Sequence, residues 1–224
     1  MRAVSAVGTV CLLGWAPRVQ RRERLSSSPC PQVLSVGAGP TILNHEGAPG
    51  IPILAVGRGD AMVEIGPFAR GDSVRMKAIA PNAFGVWARF GIDRSLPRDR
   101  VEELYQREAQ SYAERAESGD VSLAVLVARE GGEVVGYIVV GIEEGLSETF
   151  GFRWGRIISL AVDPPHQGRR IGPALVAAGM AWLRERECRH VEVWTDLNNI
   201  AAIRTYEGAG FRVVYSGVAL SQFL

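Results

Sequence analysis

The chemistry in this 224-residue chain is concentrated at one turn. His166-Gln167-Gly168-Arg169-Arg170-Ile171-Gly172-Pro173-Ala174-Leu175 places small residues and two arginines at the mouth of a helix. Free backbone N–H groups at a helix N-terminus, backed by the macrodipole, favour an anion such as a pyrophosphate. Arg169 and Arg170 can add charge-assisted hydrogen bonds to phosphate oxygens. Pro173 brings no donor, but in a first helical turn its missing N–H costs little.

Such a turn needs a strand before it and a helix after it. Ile157-Ile158-Ser159-Leu160-Ala161-Val162 is a short apolar run of the kind a buried strand requires. Asp163-Pro164-Pro165 ends that run, because proline cannot donate to a ladder and restricts the residue before it. Ala174 to Cys188 is expected to be a helix, with Leu175, Ala178, Trp182 and Cys188 among its apolar positions. Arg184, Arg186 and Arg189 fall near its C-terminal end, where cations complement the dipole. His190 to Thr195 reads as a strand, Asn199 to Gly210 as a helix with a left-handed glycine cap, and Phe211 to Leu220 as a last strand.

The turn resembles the acyl-CoA-binding motif of the GNAT superfamily of N-acetyltransferases, Gln/Arg-x-x-Gly-x-Gly/Ala after the fourth strand. Gln167 and Gly172 fill its first and last places, and Arg170 stands where the family usually has its first glycine. Asn199-Ile200-Ala201-Ala202-Ile203-Arg204-Thr205-Tyr206-Glu207-Gly208-Ala209-Gly210-Phe211 resembles the family's other signature, Asn-x-x-Ala-x-x-x-Tyr-x-x-x-Gly-Phe. The two come in the family's order, and ribosomal-protein and other N-terminal acetyltransferases are the members most resembled. The resemblance implies an α/β (mixed α+β) fold: a three-layer sandwich with a central, mostly antiparallel sheet, flanking helices, and parallel fourth and fifth strands that splay apart. It implies acetyl-CoA as co-substrate and direct transfer to a primary amine in a ternary complex, the amine expected on a protein or peptide, with a small-molecule amine as the alternative.

Site residues follow from the same resemblance. Gln167, Gly168, Arg169, Arg170, Ile171, Gly172 and Pro173 would hold the pyrophosphate, and the backbone of Leu160, Ala161 and Val162 would pair with the pantetheine arm like an added strand. Asn199 matches a CoA-contacting position, although an N-cap role alone would justify it. Tyr206 matches the tyrosine that donates a proton to the departing thiolate, and a phenol with a pKa near 10 suits that task. Glu192 resembles a fifth-strand glutamate used as general base; a water chain ending at Ser159, or a loop glutamate, is the alternative. At Arg170 two outcomes are open. If the position needs positive φ, a side chain narrows the turn's freedom, or a salt link replaces the missing glycine contact. Arg170 also keeps open a non-catalytic acyl-CoA-binding or interaction module, against which Tyr206 and Asn199 argue.

Upstream, residues 61–224 are expected to form the domain and residues 1–60 a disordered extension or a mis-assigned start. Arg18 to Arg24 is a basic run, Ser26 to Pro31 a breaker cluster, and no helical period persists. Val36-Gly37-Ala38-Gly39-Pro40 begins like a dinucleotide fingerprint, but Ile42 holds its third glycine position and no helix can follow. Met62 to Ile65 reads as a strand, Val74 to Ala80 as a helix that Pro81 kinks or stops, and Arg98 to Glu117 as a helix. Val101, Leu104, Tyr105, Glu108, Tyr112 and Ala116 lie near one face of that last helix, apolar apart from Glu108. Val121–Arg129 and Val134–Ile142 form a hairpin around Glu130-Gly131-Gly132-Glu133. Phe84, Trp87 and Phe90 read as core by their spacing of three or, as the resemblance implies for this segment, as aromatics against an acceptor, and Glu143, Glu144 and Glu148 read as a loop, either solvated or an acidic mouth for a cationic amine.

The net charge of +1 gives no argument for nucleic acid. No stretch reaches the length of a spanning helix, so no membrane partner is expected. Cys11, Cys30 and Cys188 are scattered and odd in number, so neither a disulfide framework nor a zinc site follows, and a reducing, cytoplasmic setting is expected with no metal. A homodimer is left open.

Overall fold

The computed structural model of the chain describes residues 41–43, 53–56, 62–85 and 88–222. The basic run, the glycine decoy and Trp87 lie outside the described residues. Seven strands form one sheet in chain order. They are β1 (Thr41–Leu43), β2 (Ile53–Val56), β3 (Val63–Pro67), β4 (Leu123–Glu130), β5 (Glu133–Ile142), β6 (Trp154–Val162) and β7 (His190–Val193). Neighbours are antiparallel from β1 through β6, and β6 and β7 are parallel. The fold class is the mixed α+β sandwich expected.

The sheet extends upstream of the expected start at residue 61. Within the stretch read as an extension, Leu54 pairs with Ile65 and Thr41 with Ala55. Ile53-Leu54-Ala55-Val56 is too short to show a period, and an antiparallel neighbour is what makes it a strand.

Six α-helices are described: α1 (Asp72–Phe84), α2 (Arg89–Ile92), α3 (Arg98–Glu117), α4 (Glu144–Phe150), α5 (Ile171–Glu185) and α6 (Ile200–Gly208). None is long and apolar enough to cross a membrane. α3 has the expected bounds. α1 runs through Pro81, because the proline falls in the last turn, where one lost hydrogen bond ends little. The Glu143–Glu148 region is largely helix α4 rather than loop. The strand expected from Phe211 to Leu220 is not formed. Val213, Val214, Val218 and Leu220 are exposed there, and no described strand takes them up. β-propensity alone cannot make a ladder without a neighbour.

The turn between β4 and β5 has both glycines at positive φ, 57° at Gly131 and 85° at Gly132, the geometry that matches a hairpin's twist. β4 and β5 are buried on both faces. Leu126, Ala128, Ile138 and Val140 pack on α5, and Val125, Val127, Tyr137 and Val139 pack on α1 and α3. Two register shifts decide which side chain faces which layer. In β5 the register skips Val135, so Val135 and Tyr137, two apart in sequence, join opposite cores. In β6 the register skips Ile158, so Ile157 faces α5 while Ala161 faces α1 and α3. Each inserted residue re-aims everything beyond it. Phe84 and Phe90 pack on the α1/α3 core as expected, with the Phe84 ring 5.5 Å from that of Tyr105.

Gly136 fixes how close α5 comes. A Cβ there would lie 3.0 Å from the Ala161 carbonyl oxygen and 3.3 Å from Leu175 Cδ1. Leu175 is 0% exposed, with sheet on one side and its own helix on the other. Leu175→Ala should lower unfolding free energy by about 2–5 kcal/mol, read as a drop in the denaturant midpoint with an unchanged slope.

Candidate functional site

β6 and β7 pair at only four registers, Trp154↔His190 to Ile157↔Val193. β6 continues to Val162, so the edge of residues 158–162 facing away from β5 has no strand partner among the described residues. This is a fork, and Leu160, Ala161 and Val162 line its open edge. Ala161 is 2% exposed and the other two are half-buried. An extended ligand can take up the free backbone groups as a strand would. The bulge residue Ile158 stands where the fork opens.

The turn after β6 begins with a short 3-10 helix, Pro164–His166. Gln167 Nε2 donates to the Val162 carbonyl oxygen at 3.0 Å, which ties the turn to the strand end. Gly168 has φ 75° and Arg170 φ 64°. Arg170 is thus a non-glycine residue in the left-handed region, at the N-cap of α5. Of the two sequence readings, the position does need positive φ, and the arginine bears a cost of about 1 kcal/mol for it. Ile171 is buried at 1% and anchors the helix start. Gly172 faces α6 with room to spare, since a Cβ there would meet only Thr205 Cγ2 at 4.0 Å. Pro173 is exposed in the first turn.

Arg169 is turned to the β4–β5 hairpin. Its guanidinium donates to both carboxylate oxygens of Glu130, which also receives His166 Nε2 at 3.3 Å. The Arg169 hydrogen bonds hold the Glu130 carboxyl below the usual range. Arg170 has no ion-pair partner among the described residues. Its charge is therefore the free one at this helix mouth.

Asn199 caps α6, its Oδ1 accepting from Ala202 N at 3.2 Å. Tyr206 is 7% exposed and packs in the α5-side core with its ring edge toward Phe211 at 5.8 Å. Burial pushes its phenol pKa well up. The group stays protonated at neutral pH, as a proton donor must. The fork edge, the turn and Tyr206 converge on the α5 side through Ile157, Leu160, Val162 and Ile171.

Glu192 lies at the base of the fork opposite Arg156, which donates to it at 3.2 Å and reaches Glu143 at 2.8 Å. Both carboxylates are committed to one guanidinium. Of the acidic side chains before β6, Glu144 and Glu148 are exposed and only Glu143 joins this triad. His190 is exposed, its ring 3.9 Å from that of Trp154.

Glu108 sits on the face of α3 that carries Tyr105 and Tyr112, and the Tyr137 ring lies beneath that helix. Burial chiefly raises the pKa of all three phenols, that of Tyr112 to about 12, and the Glu108 charge adds to it. The Ser159 side chain is within reach of the Tyr137 hydroxyl and partly offsets its burial.

Residues 91–211 match the model of the acetyltransferase (GNAT) family. The mycothiol acetyltransferase of Sanguibacter keddieii is 42% identical over 86 residues, 38% of this chain and 27% of that protein. That of Kocuria rhizophila is 29% identical over 119 residues, 46% of this chain and 39% of that protein. The matches therefore span well under half of these relatives. Among solved structures, PaiA N-acetyltransferase from Thermoplasma acidophilum in complex with coenzyme A superposes with a TM-score of 0.56, at 16% identity over 69% of this chain and 92% of that one. A transcriptional regulator from Bacillus halodurans C-125 gives 0.53 at 22% identity, over 71% and 99%. At these identities the structures establish the fold, and the family model covers more than half of the sequence. With the fork, the left-handed turn and the two signatures already in place, the chain belongs to the GNAT acetyltransferase family.

Proposed function

We propose that the domain whose sheet reaches back to Thr41 is an acetyl-CoA-dependent N-acetyltransferase acting on a primary amine. The observation that carries this reading is the meeting of an unpaired β6 edge, an N–H-rich helix mouth and a buried phenol in one place. Residues 168–172 and Gln167 would hold the pyrophosphate, with Arg170 as the free cation, and the backbone of Leu160–Val162 would hold the pantetheine arm. Asn199 supports this by fixing the start of α6, which sets Tyr206.

In the transfer, the amine nitrogen attacks the thioester carbon, the C–S bond breaks, and sulfur takes the Tyr206 proton. The ammonium proton leaves to a carboxylate or to water. Glu192 is the base expected from the sequence, and in that role it would act from within its pair with Arg156. The acceptor reading moves toward a small-molecule amine, because the curated relatives are named for mycothiol, with a peptide amine as the second reading. Cys188 has no disulfide partner among the described residues.

Tyr206→Phe should lower kcat by about 10²- to 10⁴-fold while the acetyl-CoA Kd from calorimetry holds within about twofold. Equal turnover by the variant would remove Tyr206 from the chemistry. At the turn, Arg170→Gly should raise unfolding free energy by about 0.5–1 kcal/mol by relieving the left-handed strain, and Arg170→Ala should not. Both should weaken acetyl-CoA binding several-fold at low salt and by less at high salt, since each removes the free cation.

A further inference from the structure

Glu130 is the last residue of β4, and the sheet fixes its backbone. It pairs with Val63 on one side and with Glu133 on the other, across the Gly131–Gly132 turn. From there its carboxylate reaches the phosphate turn, 39 residues away in sequence. Both carboxylate oxygens accept from the Arg169 guanidinium, Oε2 at 3.0 Å, and His166 Nε2 lies 3.3 Å from Oε2. A two-point contact of this kind is directional as well as charge-assisted. The other ring nitrogen of His166 is buried with no partner among the described residues, so the polar contact that aims this ring is the one to Glu130.

Glu133 holds the start of the same turn. Arg75 lies between them, its Nε 3.0 Å from Glu133 and its Nη2 donating to Asp163 at 3.0 Å. The Asp163 N–H donates in turn to the Val135 carbonyl at 2.9 Å. The phosphate turn is thus mounted at both ends on the tip of the β4–β5 hairpin. It needs such a mounting, because Gly168 at φ 75° and Arg170 at φ 64° stand on either side of Arg169. A left-handed arginine persists where the surroundings over-determine it. The N–H groups of Gly168 to Gly172 have no backbone acceptor among the described residues. Where they point, and so which anion they can share, follows from the backbone shape that Arg169 and His166 keep.

We propose that Glu130 is a positioning residue for acyl-CoA. Through Arg169 and His166 it keeps the phosphate turn in its anion-binding shape, and the Arg169 side chain serves this clamp rather than the phosphate. This rests on the reading of the turn as the pyrophosphate site. Charge and clamping predict opposite signs. As a charge, a carboxylate beside the turn repels a phosphate-rich ligand, and its removal tightens binding. As a clamp, its removal weakens binding.

Calorimetric titration of acetyl-CoA into the full chain reads that sign. Glu130→Gln should raise the Kd about three- to tenfold, although it removes a negative charge and frees Arg169. Adding Arg169→Ala to it should cost less than about twofold more, because both changes cut one link. Arg169→Lys keeps the charge and loses the two-point contact. It should weaken binding as well, and it carries the test if Glu130→Gln folds poorly. In turnover, Glu130→Gln should raise the acetyl-CoA KM while the saturated kcat and the amine KM hold, a split that general destabilisation would not give. The denaturant midpoint should move little, since the pair lies at the surface. Unchanged or tighter binding by Glu130→Gln, a full further loss on adding Arg169→Ala, or unchanged binding by Arg169→Lys would overturn the proposal alone. No acetyl-CoA binding by the unmutated chain would sink the acetyltransferase reading and the proposal with it.

Discussion

β6 and β7 share hydrogen bonds only from Trp154 to Ile157, and every backbone group on that edge beyond Ile157 needs another partner. A strand buried among a sheet and helices cannot leave such groups unpaired without cost. A continuous parallel pair would be more stable and would have no function here. The parted strands supply an extended, half-buried edge that a ligand can complete, and the elements around it hold it open. α5 covers one face through Leu175, Trp182 and Leu183, and α1 and α3 cover the other through Met76, Ile79 and Tyr105.

Two bulges apportion side chains between those faces. Skipping Val135 sends Tyr137 to the α3 side, and skipping Ile158 separates Ile157 from Ala161. Without them the residues beyond each bulge would exchange faces, and the Tyr137 phenol would point into the α5 core. Gly136 sits between the bulged register and α5, where only a residue without a side chain permits the close approach to Ala161 and Leu175.

Charges are apportioned as firmly. Arg169 is spent on Glu130, which joins the phosphate turn to the β4–β5 hairpin, and Arg156 is spent on Glu143 and Glu192 at the fork's base. Exposed pairs of this kind add little to stability, and their effect is to fix orientation. What they leave free among the described residues is the cation at the helix mouth, Arg170.

The sequence by itself determined the elements and the two signatures. α3 is bounded as its period and Pro97 indicate, the hairpin turns where Gly131-Gly132 indicates, and Asn199 caps α6, because capping, turn chemistry and helical period are local. It also identified Arg170 as the departure in the turn. It did not supply the φ of 64° there, since a residue's side of the φ map depends on the chain geometry around it. Whatever required a partner was decided only in three dimensions. Ile53–Val56 became a strand because Val63–Pro67 lies beside it, and Phe211–Leu220 did not because nothing described does. Glu192 reads in the sequence as an available base, and the parallel register sets Arg156 opposite it. Pairing, register and electrostatic partnership join residues far apart in sequence, and no local pattern contains them.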